Sequence, residues 1–298
     1  LSNTLASVLR GTGNMRVPSV GIFATAILQI VLGGLFGLGA GPIPAMGMPG
    51  IAIGHIIATG AGVVYFAWFL WAGKSRLSLR LRALHVQRTM LHDILRVGAV
   101  AMISPLQSVL TVLIFTGLIA RLGTEALAGY GIGQRLEFLL IPISFGIGVA
   151  SVPMVGMAIG AGKVTRARRV AWTAAALSAL NLAAIGLWVS VAPTQWAGLF
   201  TSDAAVLQLA CQYLVTAGPA FAFFGMGLTL YFASQGSGKV LGPVIAGTLR
   251  LALVAGVGSW LATQGHGADA YFWLVAAAMV LYGLSTVALV RMTPWARA

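Results

Sequence analysis

Eight long apolar runs, parted by short polar or basic connections, account for most of the chain. They fall at roughly 17–39, 51–73, 97–120, 128–160, 170–192, 205–233, 241–262 and 271–290. As helices at about 1.5 Å per residue, each is long enough to cross about 30 Å of hydrocarbon. The pattern predicts an all-α membrane protein with eight transmembrane helices. The fourth and sixth runs exceed what one crossing needs, so each is expected to project beyond the membrane, tilt or break.

Composition agrees with the pattern. The 298 residues are 59% hydrophobic and 8% charged, against about 25% charged in soluble domains. Mean hydropathy is +0.95. A formal net charge of +13 could suggest a nucleic-acid partner, but its distribution argues against one. Fifteen of the 18 Lys and Arg sit in alternate connections or at the chain ends: Arg10 and Arg16, then Lys74 through Arg96, Lys163 through Arg169, Lys239, and Arg291 with Arg297. The intervening connections hold only Arg121, while Arg135 and Arg250 lie inside runs. By the positive-inside rule both chain ends are then cytoplasmic, in a multi-pass protein of the plasma (inner) membrane. The basic, Leu-rich segment 74–96 reads as an amphipathic cytoplasmic linker on the inner membrane face.

A repeat organises the runs. Leu9–Pro18 reads L-R-G-T-G-N-M-R-V-P, and Ser234–Pro243 reads S-Q-G-S-G-K-V-L-G-P. Gly11/Gly236, Thr12/Ser237, Gly13/Gly238 and Pro18/Pro243 each stand 225 residues apart. Both copies predict a tight turn just before a long helix, with glycine free to take positive φ and proline in the first helical turn. Six spans separate them, so the chain returns to the same side and the copies are parallel. Parallel six-span repeats are a transporter plan. The second turn follows a complete span, whereas the first follows about eight residues. By symmetry, four more spans are expected before Leu1. The chain would then carry spans 5–12 of a 6+6 pseudo-repeat bundle: residues 1–73 as a two-span remnant of an N-terminal lobe, 74–96 as interlobe linker, and 97–298 as a six-helix C-terminal lobe.

Candidate chemistry is sparse. Of five carboxylates, Asp93, Glu125, Asp203 and Asp269 lie in connections or at span ends, and only Glu137 falls well inside a run. Intramembrane carboxylates are costly and usually face a cavity or a partner. Arg135 is two residues away, and residues so spaced do not face each other on a helix. Glu137 is read as a contact for a cationic substrate or proton, as a structural ion pair across helices, or, if the span begins later, as interfacial together with Arg135. Gln29, Gln107, Ser108, Thr111, Tyr130, Gln134 and Asn181 could line a cavity or bond between helices. Pro105, Pro142 and Pro153 are candidate hinges. Arg250, about ten residues from a basic turn, reads as an anchor that snorkels to the headgroups. A lone Cys211 and four scattered His offer no disulfide framework and no metal site. Without a P-loop, no cofactor is expected, and an ion gradient would have to drive any transport.

These residues carry a family resemblance. Leu9–Pro18, the run Leu122–Glu137 (L-G-T-E-A-L-A-G-Y-G-I-G-Q-R-L-E), Val155–Lys163 (V-G-M-A-I-G-A-G-K) and the second turn at Ser234–Pro243 together resemble the multidrug and toxic compound extrusion (MATE) exporters. Met157 departs from the family's usual Gln. Gln107 or Ser108 stands where sodium-coupled members carry a carboxylate, and the position near Phe224 lacks their Asp. The resemblance implies an antiporter, not an enzyme, that exports amphipathic or cationic organic compounds in exchange for H⁺ or Na⁺. Coupling by H⁺ is the better match, with the principal carboxylate in the expected upstream spans. It also implies a monomer in the lipid bilayer. Three rivals remain: a lipid-linked oligosaccharide flippase, which needs a more cationic cavity; a membrane-embedded lipid enzyme, which needs clustered His or Asp; and a non-transporting scaffold.

Overall fold

The computed structural model describes residues 1–39, 44–72 and 88–295. The described residues are helical throughout, with short connections and no strand. Among the described residues, eight helical segments are long and apolar enough to cross a membrane, matching the eight runs, with ends moved by up to six residues. The chain divides into two compact units, Leu1–Val86 and Gln87–Ala298.

The first unit holds α1 (Ser2–Gly11), α2 (Arg16–Leu38) and α3 (Met48–Trp71). Buried positions on α3 recur every fourth residue: Gly50, Gly54, Ala58, Gly62, Phe66 and Leu70. That spacing puts small residues in one stripe. Without a hydrophobic drive between helices in lipid, such stripes let backbones approach for dispersion contact. At Gly54 a Cβ would lie 2.7 Å from the Gly33 nitrogen on α2, so α2 and α3 touch along their main chains. Phe66 and Leu70 close the other end of the stripe over Ala6 and Leu9 of α1.

The second unit holds α4 (Arg88–Ala120), α5 (Thr124–Gly160), α6 (Val164–Val191), α7 (Pro193–Ala197), α8 (Ala204–Ala217), α9 (Phe221–Ser237), α10 (Leu241–Gln264) and α11 (Ala268–Met292). Its core gathers Leu182, Tyr213, Leu214, Phe221, Phe272 and Met279. Ser178 donates to Ser144 Oγ at 2.9 Å and lies 3.2 Å from the Gly225 carbonyl, tying α6 to α5 and α9. The outer surface is apolar, with Leu180 69% and Met102 74% exposed. An apolar exterior around a partly polar interior is the arrangement lipid demands.

Two over-long runs behave differently. Residues 124–160 form one continuous helix through Pro142 and Pro153. The sixth run breaks between α8 and α9 at the short 3₁₀ turn Gly218–Ala220, where Pro219 has no N–H to continue the ladder. Ser190 Oγ, 3.2 Å from the Leu214 carbonyl, reaches a main-chain oxygen beside the break. Of the predicted linker 74–96, residues 88–96 belong to the start of α4, and 74–87 lie outside the described residues. Arg297 is likewise outside them.

The two Gly-rich segments fold as closely similar turns. Gly13 and Gly238 take φ of 84° and 72°, left-handed values that a side chain resists. Thr12 Oγ1 donates to the Leu9 carbonyl at 2.7 Å, and Ser237 Oγ to the Ser234 carbonyl at 2.9 Å. The Gly13 and Gly238 amides donate to the Arg10 and Gln235 carbonyls at 2.9 and 3.0 Å. Pro18 and Pro243 are each the third residue of the following helix, and both are buried. Gly11 and Gly236 are still helical, within the last residues of α1 and α9. At Gly236 a Cβ would collide with the Val152 carbonyl of α5, whereas Gly11 faces open space.

Candidate functional site

The polar residues of the second unit converge from five of its helices. On α5, Tyr130, Gln134 and Glu137 are spaced i, i+4, i+7 and share one face. Glu137 is thirteen residues in from Thr124, or about 20 Å by helix rise. Tyr213, wholly buried on α8, donates its hydroxyl to Glu137 Oε1. Its ring is packed edge-on by Tyr130 at 5.5 Å and Phe272 at 5.3 Å, which fixes the direction of the phenol. Gln134 Nε2 donates to the Tyr130 hydroxyl at 3.2 Å.

Arg250 of α10 faces this carboxylate. Its charge lies within electrostatic reach of Glu137, Tyr130 and Tyr282. Among the described residues, no ion pair shorter than 4 Å joins it to Glu137. The guanidinium lies over two rings instead, 5.3 Å from the Phe224 centroid and 5.7 Å from that of Tyr282, where the π-faces attract a cation. Its Nε is buried without a hydrogen-bond acceptor. The expectation that Arg250 snorkels to the headgroups is therefore corrected: the stacked rings hold it inside the helix cluster.

On α4, Ser104, Gln107, Ser108 and Thr111 border a small cavity shared with Gly247, Arg250 and Tyr282. Gln107 Nε2 donates to Thr248 Oγ1 at 2.7 Å, and Thr248 in turn donates to the Val244 carbonyl at 3.1 Å. Because the threonine proton is already used, the amide must present its N–H₂ to Thr248 and its Oε1 to the cavity. That Oε1 has no donor. Gly247 makes room for the amide, since a Cβ there would collide with Gln107 Oε1. Pro105 leaves the Ala101 carbonyl without its helical donor, and Tyr231 of α9 supplies one at 2.8 Å.

Glu137, Tyr130, Gln134, Gln107 and Ser108 thus belong to one region of the second unit. Arg135 does not. It is exposed on the opposite side of α5, 5.0 Å over the Phe200 ring. Gln29 is exposed on α2 of the first unit. Asn181 is exposed and bonds its own helix at the Leu177 carbonyl. Sequence reasoning passed over Tyr213, Thr248 and Tyr282, and took the position near Phe224 only as one that lacks an Asp. Arg250 alone gave a signal, as the only other charge besides Arg135 and Glu137 inside an apolar run. Among the described residues, no group of His, Cys, Asp and Glu is placed to hold a metal ion.

The MatE family model matches residues 100–261, a stretch that contains Gln107, Glu137, Tyr213 and Arg250. The chain belongs to the MatE family. It is 28% identical over 242 residues to a probable multidrug resistance protein NorM of Thermotoga maritima, covering 80% of this chain and 52% of that protein. It is 29% identical over 300 residues to NorM of Burkholderia vietnamiensis, covering 94% and 63%. A FAD transporter of Shewanella oneidensis is 22% identical over 267 residues, covering 85% and 57%. This chain therefore spans between about half and two thirds of the length of these relatives. Among solved structures, the Vibrio cholerae MATE transporter VcmN superposes with a TM-score of 0.85 at 24% identity, over 97% of this chain and 65% of that one. A MOP-superfamily transporter from Pyrococcus furiosus gives 0.87 at 20% identity, over 98% and 65%. These likenesses establish the fold of a multi-pass MatE-family membrane protein.

Proposed function

We propose that this chain forms the greater part of a secondary-active exporter that moves amphipathic or cationic organic compounds outward in exchange for H⁺ or Na⁺. The observation that carries the reading is the Glu137–Tyr213–Arg250 cluster, set well inside the spans of a MatE-family chain. A carboxylate held by a phenol and faced by a ring-stacked guanidinium can release one positive partner as it takes up another, because only one cation at a time is needed to balance it. Residues 1–73 then belong to an N-terminal lobe, 74–96 to the interlobe linker and 97–298 to the C-terminal lobe of a transporter that works by alternating access. The protein would work as a monomer in the inner membrane with both ends of this chain cytoplasmic, without a cofactor. The multidrug resistance proteins among its relatives support export of organic compounds, and the FAD transporter keeps the substrate class broad.

A flippase for lipid-linked oligosaccharides would need several cations around a pyrophosphate. Arg135 is turned away over Phe200, and Arg250 stands alone over the Phe224 and Tyr282 rings, so that reading is not favoured. The test is export of a fluorescent cationic dye from efflux-deficient cells by the protein as its gene encodes it. Glu137→Gln should slow export at least tenfold at equal membrane abundance. Undiminished export would remove Glu137 from the pathway.

A further inference from the structure

A groove of about 450 Å³ runs down the outside of the second unit between α5 and α6. Ile147, Ala150 and Met154 form one wall at i, i+3, i+7 spacing, and Val170, Thr173 and Leu177 form the other, with Arg169 at one end. Small side chains on its floor, Ala174 and Ser151, leave it deep, and Ser151 spends its hydroxyl on the Gly148 carbonyl at 2.6 Å. From Arg169 to Leu177 the groove is about 12 Å long by helix rise, close to the depth of one leaflet of a 30 Å hydrocarbon layer.

The charge at the Arg169 end is unbalanced. Lys163, Arg166, Arg168 and Arg169 fall within seven residues, and no Asp or Glu occurs between 138 and 202. Two nearby cations are engaged: Arg168 donates to the Thr293 carbonyl at 3.3 Å, and Arg291 lies 5.2 Å over the Trp172 ring. Lys163, Arg166 and Arg169 are exposed. Among the described residues their side chains have no partner.

We propose that this groove is a docking site for one anionic glycerophospholipid of the adjoining leaflet. One acyl chain lies between α5 and α6, and the headgroup phosphate rests on Arg169 and Arg166. The apolar walls select a hydrocarbon chain, and the acid-free basic turn selects a negative headgroup over a zwitterionic one. A second helix in the groove would satisfy the walls but leave the cations without a counter-charge. The site is separate from the Glu137 cluster, so its failure would leave the transport reading standing.

Native mass spectrometry of the purified full-length protein tests it, using phosphatidylglycerol and phosphatidylcholine of equal chain length. Phosphatidylglycerol should be retained preferentially. Arg169→Gln should weaken its retention about fivefold, the share of one cation at an anionic surface, and Arg169→Lys should restore most of it. Leu177→Trp, which fills the groove, should reduce retention of both lipids, with size-exclusion profile and helicity unchanged. Equal retention of the two lipids by the unaltered protein would overturn the proposal. So would indifference of phosphatidylglycerol to Arg169→Gln and Leu177→Trp. Glycerophosphoglycerol without chains binding as well as the lipid would reduce the site to an anion contact and also overturn it.

Discussion

The same turn occurs twice, at Leu9–Pro18 in the first unit and Ser234–Pro243 in the second, with matching main-chain and hydroxyl bonds. The helices that follow differ where the 225-residue spacing pairs Thr25 with Arg250. Thr25 bonds its own helix, donating to the Gly21 carbonyl at 2.8 Å, and packs beside Gly62. Arg250 reaches across to Phe224 and Tyr282 and faces Glu137. The frame is shared, and only the second copy carries a charge at this position. A helix start can therefore be read as architecture in both units, whereas the polar cluster is particular to the second.

The largest expected effect separates the two helices. Arg250→Leu should destabilise the protein by about 3 kcal/mol, because it takes a buried cation off the Phe224 and Tyr282 rings and removes the positive charge that acts on Glu137. Thr25→Val, which removes only a local bond, should cost less than about 1 kcal/mol. Adding Glu137→Gln to Arg250→Leu should recover part of the loss. Thermal unfolding in detergent measures these three together with Glu137→Gln alone, and an additive double variant would mean that the two groups do not sense each other.

Next comes Gly247→Val, which drives side-chain atoms into the Gln107 amide and should cost about 2 kcal/mol. In the shared turns, Gly13→Ala and Gly238→Ala should each cost about 1 kcal/mol for left-handed backbone. Unequal penalties would break the equivalence of the two turns. Smallest, Thr12→Val and Ser237→Ala should each cost about 0.5 kcal/mol and act alike.

Much of this architecture could be read from residue order alone, for a physical reason. Lipid requires long apolar helices, so the eight spans stand out between basic connections. A turn that needs left-handed glycine and an early proline leaves the same letters wherever it recurs. Glu137 stood out because a carboxylate in an apolar run has few uses. Its surroundings were not legible. Tyr213 looks like any aromatic residue in a membrane helix until α8 is placed beside α5. Arg250 was misread because its distance from Lys239 along the chain suits snorkelling, and only the packing of Phe224 and Tyr282 makes the inward pose favourable. The break at Gly218–Ala220 has a visible proline, but Pro142 and Pro153 are equally visible in α5, which runs on unbroken. What differs is the local packing around each proline, which residue order does not state.

The bond from Tyr231 to the Ala101 carbonyl has a mechanical meaning. Pro105 gives α4 a ready place to bend, and the phenol of α9 grips the main-chain oxygen that the bend exposes. Any swing of the leading segment of α4 against α9 must let go of that oxygen, at about 1 kcal/mol, under twice the thermal energy. A latch of that strength yields readily to thermal motion and still sets a preferred rest position.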